Sequence, residues 1–219
     1  MSLLLHAIVP ADPAAPRPAC VSTDRLSACA TDWDQRPLTR AEMLAHHGLV
    51  SRLHVEHEAC LPARFPTVVA DAAALRALLV RREPELLGNL ERVRGRTELA
   101  VTAVWTQQSA AEPMASTTPG RQYLLQRQRD FHSADAQRAI AAEIADAVER
   151  ALGADVVEAQ RKLCPRPDTA LSLALLVPRA GAQQLVERVP DADELRGVRI
   201  LVNGPWPPYS FVALVTREE

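Results

Sequence analysis

Apolar residues fill almost every position from Leu3 to Val9, which predicts a buried first strand. Four prolines (Pro10, Pro13, Pro16, Pro18) mark the connection that follows, and Cys20 to Ala30 reads as a second strand. Thr39 then stands three residues before Glu42, the spacing of a capping box. Met43, Leu44, His47, Val50, Leu53 and His54 recur at helical intervals behind it, predicting a helix to about Glu58. Cys60 to Val69 is broken by Pro62 and Pro66, which restricts it to an irregular or edge strand. Asp71 opens a further helix with an apolar stripe of Leu75, Leu78, Leu79, Leu86, Leu87, Leu90 and Val93, and Pro84 should kink or split it. The first half reads β-β-α-β-α.

After Gly95 the pattern restarts. Glu98 to Trp105 reads as a strand with Leu99, Val101, Ala103 and Trp105 on one face, and a polar loop runs from Gln107 to Pro119. A long helix spans Arg121 to Leu152, with a break expected near Ser133 and a stripe of Ile140, Ile144, Val148 and Leu152. Strands at Ala154 to Leu163 and Ala170 to Val177, a helix at Gly181 to Val189 and a strand at Val198 to Val202 complete the half; the last strand is expected to resume at Phe211 to Val215. The order β-α-β-β-α-β is that of a ferredoxin-like domain, an antiparallel sheet with two helices on one face. The expectation is an α+β protein of two domains, 1–95 and 96–219.

Composition narrows the function more than the fold. A formal charge of −2 over 219 residues lacks the basic excess that binding to a phosphate backbone requires, so nucleic acid is not expected as a partner. No apolar stretch reaches the roughly 20 residues of a membrane span, so no membrane association is expected either. The apolar start has no basic flank and breaks at Pro10, unlike a signal peptide. Cys20, Cys29, Cys60 and Cys164 form no C-x-x-C pair. A cytoplasmic protein with reduced, mostly buried thiols is expected, with proteins or small molecules as partners.

Candidate chemistry is sparse. His46, His47, His54, His57, Glu56, Glu58 and Cys60 crowd the first helix, and His47, His54 and Glu58 fall within about 40° of one another around its axis. A metal-dependent enzyme built on residues 46–60 is the alternative this permits. Against it, the H-E-x-x-H spacing is missing and Val50 shares the face. There is no G-x-S-x-G elbow and no phosphate-binding glycine loop. The single lysine, Lys162, reads as a solvated strand end, and Asp191, Asp193 and Glu194 as a solvated loop. The predicted central strands carry no aromatics for stacking RNA bases. Neither catalytic residues nor a cofactor are expected.

Two segments of unusual composition remain. One is Leu61-Pro62-Ala63-Arg64-Phe65-Pro66-Thr67; the other is Gly204-Pro205-Trp206-Pro207-Pro208-Tyr209-Ser210-Phe211, which holds three of the chain's eight aromatic residues within six positions. Prolines fix φ and remove N–H donors, so Trp206 and Tyr209 ride on a stiff backbone excluded from a central ladder. Such aromatics either cap a core or present a recognition surface. Trp206, Pro207 and Tyr209 are the candidates for protein contact or domain locking, and Arg64 with Phe65 for joining the two domains.

The C-terminal Gly204 to Val212 stretch closely resembles the signature that ends proteins of the gas vesicle GvpL/GvpF family. Two further stretches occur in matching order. His46-His47 precedes Leu61 to Thr67, which is similar to the family's L-P-x-R-F-G-T block, and Gly120-Arg121-Gln122-Tyr123-Leu124-Leu125-Gln126-Arg127 is similar to its G-x-x-Y-L-x-x-R helix start. Pro66 stands where the family usually has glycine, which removes any positive-φ conformation there. The resemblance implies a non-catalytic accessory protein of gas vesicle formation, α+β in two domains, without cofactor. It also implies binding to the small hydrophobic shell protein and to other accessory proteins, in the cytoplasm and associated with the vesicle.

Overall fold

The computed structural model describes residues 1–12, 20–34, 38–106, 119–190 and 197–212; side chains at 20 and 119–133 are outside that description. Much of the proline-rich connection, the 107–118 loop and the 191–196 carboxylates accordingly lie outside the described residues, as do positions 213–215 of the expected strand resumption. The chain divides into two compact units. Met1–Glu98, Leu176–Ala180 and the described residues from Pro205 to Val212 form the first, and Leu99–Leu175 with Gly181–Gly204 the second. This differs from a single cut near residue 95, because the aromatic C-terminal segment joins the first unit.

The first unit is built on β1 (Ser2–Pro10), the central strand of a five-stranded sheet. It pairs antiparallel with β3 (Leu26–Trp33) on one side and with two short strands, β4 (Leu61–Pro62) and β5 (Val68–Val69), on the other. The second predicted strand is a hairpin: β2 (Cys20–Ser22) and β3 flank a tight turn at Thr23 to Leu26. There the Thr23 N–H donates to the Leu26 carbonyl (2.8 Å) and the Leu26 N–H to Thr23 Oγ1 (3.1 Å). The polar stretch Ser22-Thr23-Asp24-Arg25 marks that turn.

Both faces of β1 are covered, which is why its residues are apolar in sequence rather than alternating. Leu5 and Ile8 pack in one cluster with Leu26, Leu75, Leu79, Leu86, Leu90 and Val93; Ala7 and Val9 pack in another with Leu53 and Cys60. Leu5 and Ile8 share a cluster despite their odd spacing, because the register slips between Leu5 and Ala7. His6 is the extra residue of that bulge, a device that re-aims a side chain.

Helix α1 (Arg40–Glu56) starts at the predicted capping box, with Glu42 N–H to Thr39 Oγ1 at 3.2 Å and Thr39 N–H to Glu42 Oε2 at 2.9 Å. Its buried face is His46, Val50, Leu53 and His54, not the stripe beginning at Met43 and Leu44, which are 48% and 56% exposed. Pro84 splits the next helix as expected, into α2 (Ala72–Arg81), capped by Asp71, and α3 (Glu83–Val93), where the proline sits in a first turn that needs no N–H from it. Gly95, at φ +65°, follows α3 and donates its N–H to the Glu58 carbonyl at 2.7 Å.

The remaining elements are β6 (Arg96–Trp105), α4 (Pro119–Leu152), a 3₁₀ turn at Gly153–Asp155, β7 (Glu158–Arg166), β8 (Thr169–Pro178), α5 (Ala182–Glu187) and β9 (Val198–Trp206). The four strands form one sheet in the order β7-β8-β6-β9. Helix α4 is unbroken through Ser133; a serine's preference for cap positions is too weak to start a new helix by itself. Its inward stripe is Ala141, Ile144, Ala145, Val148 and Leu152, while Ile140 is exposed. The 3₁₀ turn delays β7 to Glu158. β9 extends through Pro205 to Trp206, an edge position where a missing N–H breaks no ladder. Phe211 lies in a turn and Val212 has no strand pairing. The chain is thus a mixed α+β protein with two sheets.

Candidate functional site

Three segments of the first unit converge on one open groove of about 540 Å³, lined by Met43, Leu44, His46, His47, Arg64, Phe65 and Tyr209. Met43, Leu44 and His47 come from one side of α1, where i, i+3 and i+4 positions are neighbours. Arg64 and Phe65 come from the excursion between β4 and β5. Both of those strands pair with β1, so the intervening residues are pushed out from the sheet edge between two anchored ends. The anchors are Ala63 N–H to the His6 carbonyl and Leu5 N–H to the Thr67 carbonyl, each 2.8 Å. The Phe65–Pro66 peptide is cis.

Beneath the groove, His6 and His46 meet Nδ1 to Nδ1 at 2.9 Å. Their roles follow from the outer partners. His46 Nε2 faces the Ala63 carbonyl at 3.0 Å, which can only accept, so this nitrogen carries a proton and Nδ1 of the neutral ring accepts from His6. His6 Nε2, 2.9 Å from Thr31 Oγ1, then accepts from the hydroxyl. Each neutral ring thus donates once and accepts once. Burial pushes the His6 pKa down to about 4, aided by His46, and lowers that of His46 despite its bond to Ala63. The His46 ring in turn supports Phe65, with centroids 5.4 Å apart.

The C-terminal segment forms the third wall. Tyr209 N–H donates to the Pro207 carbonyl at 2.7 Å and Phe211 N–H to the Pro208 carbonyl at 3.2 Å, so the chain turns immediately after β9. Glu98 holds the turn: its carboxylate accepts from Ser210 N–H (2.8 Å) and from Ser210 Oγ–H (2.7 Å). Burial raises the Glu98 pKa, while the two Ser210 bonds and the Arg64 charge act against that rise. Arg92 donates to the Phe211 carbonyl. A second polar chain fixes the end of β9. Arg179 can only donate, so His54 Nδ1 accepts from it (3.2 Å); His54 Nε2–H donates to Thr97 Oγ1 (3.2 Å), whose hydroxyl donates to the Trp206 carbonyl (2.8 Å). Burial and the Arg179 charge hold the His54 pKa down to about 4.

The five site candidates take different positions. Arg64, Phe65 and Tyr209 line the groove together; Trp206 lies beside it, its ring 5.2 Å from His47, which also stacks on Tyr209 at 6.4 Å. Pro207 is buried and contributes rigidity, not surface. Arg64 and Phe65 meet Tyr209 across a large sequence separation within one unit. Sequence reasoning missed His6, Thr31, Glu98, Thr97 and Arg179, because each acts through a partner remote in sequence. It also assigned Met43 and Leu44 to the core.

The histidine-rich helix does not assemble a metal centre. His46 is bound to His6 and Ala63, His54 to Arg179 and Thr97, and His47 lies against Trp206 and Tyr209. Among the described residues, no three His, Cys, Asp or Glu side chains are grouped to hold an ion. Burial pushes the Cys60 thiol up to about 12, far from the thiolate that metal binding or nucleophilic attack requires. Among the described residues, no helix is long and apolar enough to cross a membrane. What the groove offers is contact area: two exposed aliphatic side chains, aromatic rings held from behind, and one guanidinium.

The profile of the family described as "Gas vesicle synthesis protein GvpL/GvpF" matches residues 14–213. The chain is similar to gas vesicle protein L of Streptomyces sp. (strain CB03234), at 34% identity over 86% of this chain and 79% of that protein. It is also similar to gas vesicle protein L2 of Halobacterium salinarum, at 27% identity over 91% of this chain and 82% of that protein. The crystal structure of gas vesicle protein GvpF from Anabaena sp. PCC7120 shares its fold, with a TM-score of 0.76 at 18% identity, covering 100% of this chain and 98% of that one. The chain belongs to the GvpL/GvpF family of gas vesicle proteins.

Proposed function

We propose that this protein is a non-catalytic assembly factor that binds the small hydrophobic shell protein of the gas vesicle during nucleation or growth, in the cytoplasm at the vesicle surface. Other accessory proteins are its further partners. The observation that carries the proposal is the groove itself. Family-like segments from two distant parts of the chain, Arg64-Phe65 and Trp206 to Tyr209, meet there beside exposed Met43 and Leu44. Large, stiff aromatic side chains beside aliphatic surface are suited to anchoring an apolar partner.

A ferredoxin-like arrangement of the second unit belongs to the same proposal. The order β6-α4-β7-β8-α5-β9 and the sheet order β7-β8-β6-β9 support it.

Pull-down of purified shell protein tests the function. Phe65→Ala and Tyr209→Ala should each weaken capture about tenfold while the protein remains folded by circular dichroism. Undiminished capture by both folded variants would remove the groove from the mechanism.

A further inference from the structure

We infer that the segment seated in this groove carries a carboxylate that pairs with Arg64. The inference rests on the groove being the partner-binding surface proposed above, and it adds the chemistry of what enters. Among the described lining residues, Arg64 is the one side chain of permanent charge; Met43, Leu44, Phe65 and Tyr209 supply apolar and aromatic wall. Its side chain is exposed, and among the described residues its guanidinium makes no hydrogen bond or ion pair. The carboxylate whose field it influences, Glu98, is only 7% exposed, and each of its oxygens is already bound by Ser210, one by the N–H and the other by the hydroxyl.

A guanidinium presents five N–H donors in a planar fork that matches a carboxylate in two parallel bonds. Beside apolar walls such a pair is less screened by water than on open surface, so an occupant that covers the groove without supplying an anion leaves those donors poorly solvated. Charge complementarity therefore selects an apolar peptide segment with an Asp, a Glu or a terminal carboxylate at the Arg64 end. One cation on a chain of net charge −2 does not suit a polyanion such as nucleic acid.

The test uses full-length protein and purified shell protein in a binding titration at about 0.05 M and 0.5 M salt. Arg64→Gln should weaken binding about tenfold, Arg64→Lys should recover only part of it, and the loss should shrink at high salt. Val80→Ser, a change at an exposed apolar residue of α2 outside the groove, should bind as the parent does. Single Asp→Asn and Glu→Gln changes across the shell protein should contain one that reproduces the loss and adds nothing in the Arg64→Gln background. Normal binding by Arg64→Gln alongside a loss in Phe65→Ala overturns the carboxylate pairing and leaves the groove intact as a docking surface. Normal binding by both overturns the two together. The pairing is also overturned if Arg64→Gln weakens binding but no acidic position couples to it, or if sedimentation shows that Arg64→Gln dissolves a dimer, which would make a second copy of this chain the occupant.

Discussion

The two ends of the C-terminal aromatic segment do opposite things. Phe211 is 2% exposed, its carbonyl is held by Arg92, and the preceding Ser210 is bound twice by Glu98. Trp206, five residues earlier, is 38% exposed and rests on His47 beside the groove. One short motif thus contains both a lock and a presented surface. Under the proposed function the locked end would serve the exposed one, because an aromatic anchor held in place loses less conformational freedom on binding. The same contrast runs along α1, where His46 and His54 are engaged in internal hydrogen bonds while Met43 and Leu44 face outward.

Substitutions should separate the lock from the surface. Phe211→Ala removes a buried ring and should cost about 3–5 kcal/mol in urea unfolding, with binding lost only through unfolding. A loss below about 1 kcal/mol would mean that the buried end is not a lock.

Acid should act next. His6 and His54 titrate near 4 in the folded protein, and His46 is also lowered. As pH falls from the unfolded value of about 6.5, the unfolded chain takes up these protons first. Their contribution, present above that value, is therefore lost between pH 6.5 and 4, on the order of 3 kcal/mol for each fully shifted ring. Glu98 acts with the opposite sign at the upper end of the carboxylate range, because its folded pKa is raised. Unfolding measured across this window should lose stability toward acid, and His54→Gln should flatten the slope. An unchanged slope in that variant would show that the buried ring does not carry the effect.

Glu98→Ala leaves the Ser210 N–H and hydroxyl without their acceptor and should cost about 1–3 kcal/mol. It also tests whether the lock positions the surface: shell-protein capture should fall even at temperatures where the variant is fully folded. The smallest effect on stability belongs to Leu44→Ser, within about 0.5 kcal/mol, because Leu44 is 56% exposed. Capture should weaken nonetheless. A variant that is destabilised yet binds normally would reverse the assignment of this residue from surface to core.

Much of the framework was legible from local chemistry. The Thr39 and Asp71 caps, the split at Pro84 and the edge position of the proline-bearing strands each depend on groups a few residues apart. Other features misled for equally local reasons. A serine that could cap a helix does not interrupt α4, and Met43 and Leu44 fit a helical stripe that the fold turns outward. The groove was legible only as two unusual segments. That Arg64-Phe65 and Tyr209 face each other depends on two strand pairings with β1 and on the Glu98–Ser210 bond, neither of which leaves a periodic trace.

By itself the sequence determined the caps, the split at Pro84 and the apolar strands, because these rest on the residue's own stereochemistry or on neighbours within a turn; the family was legible as motifs in matching order along the chain. Tertiary structure alone decided which histidine meets which partner, which face of α1 stays exposed, and that the last aromatic segment belongs with the first unit. Each of those outcomes depends on contacts between residues up to 125 positions apart, as His54 and Arg179 are, and only packing can select among such contacts.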